Sequence, residues 1–363
     1  MLFPLHRDTP NSLIFIALNR ELLRFLRTSI DAQYFDRDLF SLIIGEACWN
    51  NDATKEKFKD LWDELQNLTV IQRRTFYNEI NNKQDISVYF IDKILEFPDL
   101  ISAELTKKLE CLTKHLYNST KDLAPIKRAC GETLVEHYHA YCRLNYRLCQ
   151  VCGTEQLSQP RSNIEGGKQW RSAYDHLLCK TKHAAYGIHP NNLLPLCYTC
   201  NSKAKGVKEL LIKKQGNRSV RRLSFYPQTE SCMDVVTAKL IECETSLSLS
   251  IDWVAIDPAH QEKIVAWDEV YQVKSRVEGI DADIILKIND ECDQPLDLDD
   301  FKNQLARKAR RPNNRALRSE PMKFWRYKLY DWLSNESDYL IETIWEMIEQ
   351  RRDDENYREE YGI

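Results

Sequence analysis

Four of the chain's cysteines form two C-x-x-C pairs, Cys149 with Cys152 and Cys197 with Cys200. This spacing lets a tight turn direct both thiolates of a pair towards one point, and two such turns complete a tetrahedral S4 zinc site. Gly153 directly follows the first pair and suits the backbone of such a turn. Because four thiolates leave no coordination position open, the pattern predicts a structural zinc ion rather than a catalytic one.

Two other interpretations of the cysteine pairs are a redox-active dithiol and a set of buried free thiols. A redox site needs only one C-x-x-C pair, usually beside a βαβ pattern, so the duplication favours zinc. The chain has 12 cysteines, and its first ten residues lack the features of a secretory signal. We therefore expect a cytoplasmic protein whose cysteines are thiols or metal ligands in a reducing compartment.

Three groups near the cysteine pairs could hydrolyse a phosphodiester bond: Asp175 with His176, then Asn192, then Asn201 directly after the last cysteine. An imidazole titrates near neutrality, so His176 can act as the general base for water. Asp175 and Asn201 offer hard oxygen ligands that suit a partly hydrated Mg²⁺ or Mn²⁺ ion. Adjacent residues of a regular strand face opposite sides, so Asp175 and His176 can share a site only at a strand end or an irregularity.

These residues resemble the pattern of the HNH endonucleases, a family whose fold is a ββα-metal finger. The resemblance covers about 60 residues with many fixed spacings. By that resemblance His176 activates water, Asp175 and Asn201 bind the catalytic metal, and Asn192 holds the loop that orients the histidine. The matching positions are Cys149-x-x-Cys152, Asp175-His176, Asn192-Leu193-x-Pro195-x-Cys197-x-x-Cys200-Asn201, and then Lys203, Lys205 and Gly206.

The chain departs from the family pattern at two positions. Asn201 stands where the family name implies a final histidine, a variant shared by the HNH domains of RNA-guided CRISPR nucleases. Cys179 stands where stand-alone bacterial HNH proteins commonly have a proline. The likeness to such stand-alone proteins with extra helical domains implies a restriction or anti-phage defence effector. It also implies a regulatory protein partner, such as a defence-system ATPase.

Basic residues near and beyond the motif could contact nucleic acid. Lys205 lies four residues after Asn201 on one helical face and could reach a backbone phosphate, although a solvated lysine fits the sequence equally well. Residues 302–328 contain ten lysines or arginines against one acid, a density that predicts a phosphate-tracking groove rather than an ordinary solvated face. The expected nucleic-acid contacts are Lys203, Lys205, Arg171, Arg307, Lys308, Arg310, Arg311 and Arg315.

Composition and patterning predict an α-rich multidomain (α+β) protein in which helical regions flank a small zinc-stabilised module, and the resemblance implies that this module is a ββα-metal finger. The 363 residues, 43% hydrophobic and 29% charged, are typical of a folded soluble chain of two or three domains. We expect a helical N-terminal domain over 1–130 for target or partner binding, an HNH nuclease domain over 131–222, and a mainly helical C-terminal domain over 223–363. No apolar run approaches the ~18 residues that would span a bilayer, so no membrane association is expected.

The sequence therefore predicts a metal-dependent endonuclease that hydrolyses DNA, with Zn²⁺ as structural ion and Mg²⁺ or Mn²⁺ as catalytic ion. A net charge of −4 gives no global basic field, so DNA binding is inferred from local residues alone. The same site could cut RNA, because the motif reads the phosphate and not the sugar. The other alternative is a non-catalytic zinc module that binds nucleic acid or a partner protein. The presence of Asp175, His176 and Asn201 together argues against that module.

Overall fold

The computed structural model describes residues 1–164, 168–243, 246–280, 284–293 and 295–361. About 54% of the chain is helical and the sheets are few and short, which confirms the predicted α-rich character. Among the described residues, no helix combines the length and the apolar character needed to cross a membrane. The chain divides into two compact units, here called the N-terminal unit and the C-terminal unit. The N-terminal unit comprises 5–145 and 157–229, and the C-terminal unit comprises 1–4, 146–156 and 230–363.

Amphipathic helices form the first part of the N-terminal unit. Leu18, Leu22 and Leu26 recur at four-residue spacing, so one face of the first helix is buried throughout. The fourth helix begins with a reciprocal capping box between Thr69 and Gln72. The helices are α1 (Leu13–Thr28), α2 (Ile44–Trp49), α3 (Asp52–Gln66), α4 (Val70–Asn82), α5 (Val88–Ile91), α6 (Ala103–Asn118), α7 (Ala124–Cys130) and α8 (Leu134–Asn145).

The core of the N-terminal unit also includes the segment that carries the predicted site. Phe58 packs against Phe25 and Phe40 with ring centroids 4.8 and 5.0 Å apart, and Tyr174 and Leu193 belong to the same hydrophobic cluster. The division into units therefore differs from the three consecutive segments predicted from sequence. The physical reason is size, since a short hairpin has too little apolar surface to form a core of its own.

Two short antiparallel hairpins complete the N-terminal unit. In the first hairpin Asp175 lies opposite Leu194 and His176 opposite Leu193. Gly216, at φ +59°, makes the tight turn of the second. The strands are β1 (Tyr174–His176), β2 (Leu193–Pro195), β3 (Ile212–Gln215) and β4 (Arg218–Arg221), and a π-helix spans Thr199–Lys205 between the hairpins.

The C-terminal unit combines a longer hairpin with helices. Strands β5 (Val236–Cys243) and β6 (Ser246–Trp253) pair antiparallel, a feature absent from the predicted mainly helical domain. Their buried residues alternate, with Val236, Ala238 and Leu240 on one strand and Leu249 and Ile251 on the other, as a half-buried strand requires. The helices are α9 (Pro258–Tyr271), α10 (Val273–Glu278), α11 (Ile284–Glu291), α12 (Leu298–Lys308), α13 (Asn314–Leu317), α14 (Lys323–Leu333) and α15 (Asp338–Tyr361).

Candidate metal centre and active site

The four cysteines of the two C-x-x-C pairs converge. The Sγ atoms of Cys149, Cys152, Cys197 and Cys200 all lie within 4.8 Å of one another, and all four residues are buried. A tetrahedral zinc centre with Zn–S bonds of about 2.3 Å places its sulfur atoms roughly 3.8 Å apart. The four-cysteine cluster can therefore hold a metal ion such as zinc, and four sulfur ligands leave no position for a substrate.

The turn that carries Cys149 and Cys152 is built for two thiolates. The Gly153 N–H donates to the Cys149 carbonyl over 2.9 Å. Gly153 adopts φ +67°, a left-handed conformation that favours glycine, and a Cβ there would lie 2.6 Å from the end of the Leu2 side chain. The main-chain N–H and the hydroxyl of Thr154 lie 3.4 and 3.2 Å from Cys152 Sγ. Such donors stabilise negative charge on sulfur, as a metal-bound thiolate needs.

Cys200 lies in the first turn of the π-helix, and Cys197 lies two residues before that helix begins. The Cys200 N–H points at Cys197 Sγ from 3.4 Å. The Gly206 N–H donates to the Asn201 carbonyl over 3.1 Å, and this five-residue bond widens the turn relative to an α-helix. Ser202 and Lys203 are exposed, while the residues that face inwards are Cys200, Ala204 and Lys205.

Asn192 holds the loop between β1 and β2. Its Oδ1 accepts the Leu178 N–H over 2.7 Å, and its Nδ2 donates to the carbonyls of Leu178 and Tyr186 over 3.1 and 2.9 Å. The side chain is fully buried. Three hydrogen bonds thus fix both the start and the middle of the loop to one amide, which is a structural role close to the one expected from sequence.

His176 ends β1 with a defined tautomer. Its Nε2 lies 2.9 Å from the Gly187 carbonyl, and a carbonyl only accepts, so Nε2 carries the proton and Nδ1 the lone pair. Burial lowers the pKa of His176 to about 3, although the Gly187 carbonyl opposes that shift. The ring of Tyr117 packs edge-on at 4.6 Å. The imidazole is therefore neutral at physiological pH, the form that a general base requires.

Asp175 forms a buried ion pair with Lys205. Lys205 Nζ lies 3.1 Å from Asp175 Oδ1 and 2.7 Å from the carbonyl oxygen of His176. Burial raises the pKa of Asp175, and the Lys205 ammonium opposes the rise. Lys205 is 2% exposed. A lysine that contacts a phosphate or is solvated lies on the surface, and the structure places Lys205 in the interior instead. The wider π-helical turn directs its side chain inwards instead.

The second oxygen of Asp175 is unpaired. Oδ2 is buried and makes no hydrogen bond among the described residues. Asn201 is half-buried on the π-helix, and within the described part of the chain no hydrogen bond links its side chain to Asp175 or His176. The structure thus joins Lys205 to the carboxylate of Asp175 and to the main-chain carbonyl of His176. Asn201 lies four residues before Lys205 on the same π-helix.

A buried hydrogen bond between His183 and Glu209 is the part of the site that the sequence did not reveal. His183 Nε2 lies 2.9 Å from Glu209 Oε2, and Lys182 Nζ lies 3.6 Å from Oε1. Burial raises the pKa of Glu209, but the hydrogen bond with His183 and the nearby positive charges, Lys182 and Lys205 among them, together outweigh burial and hold the pKa below its usual range. The pair ties the β1–β2 loop to the chain beyond the π-helix. No spacing marks Glu209, because a single acid in a mixed segment is ordinarily exposed.

The other basic residues have varied surroundings. In the N-terminal unit Lys203 is exposed, with Nζ 5.8 Å from the centroid of the exposed Tyr198 ring. Arg171 is half-buried, 5.6 Å from the Tyr174 ring. In the C-terminal unit Arg311 pairs with Asp234 over 3.3 Å and Lys308 is half-buried. The exposed arginines there are Arg307, Arg310, Arg311 and Arg315.

Comparisons of the chain with protein-family models, with curated proteins and with solved structures found no match.

Proposed function

We propose that the chain is a metal-dependent endonuclease of the HNH type that hydrolyses DNA phosphodiester bonds. One observation carries the proposal: a neutral, oriented imidazole, His176, follows directly on a buried carboxylate, Asp175, that has one unpaired oxygen. Lys205 contacts the carboxylate of Asp175 and the carbonyl of His176 with one nitrogen.

The chain's own residues would act on an attacking water. His176 Nδ1 accepts a proton from that water as the water oxygen bonds to phosphorus. The bond from phosphorus to the 3′ oxygen breaks, and that oxygen leaves with the electron pair and takes a proton from solvent. The products are a 3′-hydroxyl and a 5′-phosphate. The Gly187 carbonyl keeps Nε2 protonated throughout, which stabilises the imidazolium that forms.

A divalent cation fits the donors around Asp175. A buried carboxylate oxygen without a hydrogen bond is a poor arrangement in a folded chain unless a ligand completes it. Asp175 Oδ2 and the amide oxygen of Asn201 are the atoms that would hold the ion, and both are hard donors suited to Mg²⁺ or Mn²⁺. When bound, such an ion supplies positive charge that stabilises the phosphate oxygens during hydrolysis.

The local architecture agrees with the proposed ββα-metal module. The hairpin of β1 and β2 is followed by the π-helix, and the four-cysteine cluster includes Cys200 on that helix and Cys197 just before it. A zinc ion with four sulfur ligands would stabilise the turns and take no part in hydrolysis. Lys203 and Tyr198 offer an exposed charge and an exposed ring on this helix for a phosphate and a base.

One observation favours a second candidate, a non-catalytic zinc module. His176 is 7% and Asp175 5% exposed, so a phosphate could reach them only after neighbouring side chains move. RNA remains an alternative substrate for the same residues, because no contact to a sugar hydroxyl distinguishes the two nucleic acids. A role in restriction or anti-phage defence, with a regulatory ATPase partner, belongs to the proposal through resemblance alone.

The test is cleavage of supercoiled plasmid, single-stranded DNA and RNA by the full-length protein with Mg²⁺ or Mn²⁺. His176→Ala removes the base and should lower the rate by about 10²- to 10⁴-fold. His6→Ala, an exposed histidine of the same unit, is the matched control and should keep the wild-type rate. Equal cutting by wild type and His176→Ala would refute the assignment of the base. No cutting of any substrate by wild type would favour the binding module.

A further inference from the structure

We propose that Lys205 is the internal counter-ion of Asp175: it holds Oδ1, leaves Oδ2 as the oxygen available to a divalent cation, and weakens the binding of that cation. The inference rests on the proposed function, in which Asp175 is a metal ligand. Lys205 is thus a positioning residue that acts through Asp175, and it sets how much divalent ion the site requires.

The geometry of Lys205 gives it two acceptors on consecutive residues. Nζ lies 3.1 Å from Asp175 Oδ1 and 2.7 Å from the carbonyl oxygen of His176. The side chains of Asp175 and Lys205 are 6% and 1% exposed, so water screens their interaction weakly. An ammonium held in this way fixes the rotation of the carboxylate and the end of β1 together. It also accounts for the asymmetry of Asp175, in which one oxygen is paired and the other is not.

The backbone of the π-helix explains why a lysine can reach this position. The five-residue hydrogen bond from Gly206 to Asn201 adds width to the turn. The turn faces Ala204 and Lys205 inwards and leaves Lys203 exposed. Lys203 and Lys205 are therefore a natural pair for experiment, since they have the same side chain two residues apart, and only one contacts Asp175.

Charge determines what the counter-ion does to metal binding. Asp175 and Lys205 together are neutral, so a divalent cation at Oδ2 meets attraction from the carboxylate and repulsion from the nearby ammonium. Replacing Lys205 with methionine keeps an unbranched side chain of similar length and removes that repulsion. The site would then bind the cation more tightly, although the carboxylate would lose a hydrogen bond that orients it.

The decisive measurement is Mn²⁺ binding to the full-length, zinc-loaded protein, followed by the electron paramagnetic resonance signal of free Mn²⁺. Lys205→Met should lower the dissociation constant at least about tenfold, as expected for loss of one nearby positive charge. Lys203→Met should leave the dissociation constant within about twofold of wild type, because its exposed ammonium is screened. Asp175→Asn should abolish binding, both alone and in combination with Lys205→Met. Unchanged or weaker binding by Lys205→Met would overturn the proposal, and so would Mn²⁺ binding that does not depend on Asp175.

A second measurement needs no metal and covers the case in which one variant folds poorly. The unfolding equilibrium of the chelator-treated protein, with zinc restored, is compared for wild type, Asp175→Asn, Lys205→Met and the double variant. A counter-ion pair predicts coupling between the two positions. The unfolding equilibrium constant of the double variant should therefore be at least about tenfold smaller than the value expected if the two single effects were independent. Additive effects would overturn the pairing. Plasmid cleavage is scored separately: Mn²⁺ binding and coupling without any cleavage would refute the nuclease while leaving the role of Lys205 in place.

Discussion

His176 and Gly187 are joined by a hydrogen bond of 2.9 Å in which the ring nitrogen Nε2 donates to a main-chain oxygen. His176 ends β1 and Gly187 lies within the β1–β2 loop, which Asn192 fixes with three hydrogen bonds. The ring therefore has a direction as well as a protonation state. A histidine free to rotate would present either nitrogen to a substrate, whereas this one presents only Nδ1.

The tautomer of His176 is directly measurable. At neutral pH, a long-range ¹H–¹⁵N correlation spectrum should give His176 the pattern of a neutral ring protonated at Nε2, because the Gly187 carbonyl accepts only from a protonated nitrogen. His6 is exposed and provides an internal comparison. A His176 ring protonated at Nδ1 would contradict the orientation on which the proposed base depends.

Asn192 should matter for stability even where no substrate is present. Asn192→Ala removes three buried hydrogen bonds and leaves the Leu178 N–H without a partner, so we expect a loss of about 2–4 kcal/mol in the free energy of unfolding. Its neighbour Asn191 makes one exposed hydrogen bond, to Asn11. Asn191→Ala should cost less than about 0.5 kcal/mol. Denaturant unfolding of both variants tests this, and equal losses would mean that the loop does not depend on Asn192.

Short-range patterns predicted the parts of the site that depend on spacing. The doubled C-x-x-C led to the expectation of a four-sulfur cluster, and the four Sγ atoms do converge. Strand alternation predicts that Asp175 and His176 share a site only at a strand end or an irregularity, and His176 is the last residue of β1. Such features follow from local backbone geometry, which a few neighbouring residues determine.

The parts that sequence did not predict depend on which way a helix turns and on distant partners. Lys205 belongs to a basic segment, and the sequence predicts either a phosphate contact or a solvated side chain for it. The π-helix rotates it inwards, and nothing in the residue types announces a five-residue turn. The role of Glu209 could not be predicted from sequence, because its partner His183 is 26 residues away. The hairpin of β5 and β6 has a pattern in the sequence, because apolar residues alternate along both strands. The prediction of a mainly helical C-terminal domain does not use that alternation.

Replacing a cysteine of the four-cysteine cluster should lower the zinc content of the protein, whereas replacing a buried cysteine outside the cluster should not. Cys152→Ser removes a sulfur that receives two hydrogen bonds from Thr154, so the protein should lose its bound zinc and melt at a lower temperature. Cys179 is buried but lies outside the four-cysteine cluster. Cys179→Ser should keep one zinc per chain, measured by elemental analysis. Full zinc content in Cys152→Ser would refute the four-sulfur site.

The exposed arginines of the C-terminal unit make a separate prediction about DNA. Arg310 and Arg315 are exposed. If each neutralises one phosphate, replacing both with alanine should reduce the slope of log affinity against log salt by about 2 and weaken binding equally across sequences. The exposed Arg74 of the N-terminal unit lies outside the basic stretch, and Arg74→Ala serves as the control. If the double substitution left the slope unchanged, Arg310 and Arg315 would not contact phosphates, and residues 302–328 would be an ordinary solvated surface.

The lowered pKa of Glu209, which is hydrogen-bonded to His183, predicts how stability depends on pH. Glu209 has a lower pKa in the folded chain than its unfolded value of about 4.3, so its carboxylate stabilises the fold above that value. The contribution is lost as the pH falls through the folded pKa. Glu209→Gln should therefore cost about 2 kcal/mol at pH 7, and the difference from wild type should shrink steadily below pH 4.3. Glu104→Gln, at an exposed position of α6, controls for the general effect of removing a carboxylate. Denaturant unfolding across this range checks the expectation, and a difference that grew as the pH fell would mean that burial, rather than His183, governs Glu209.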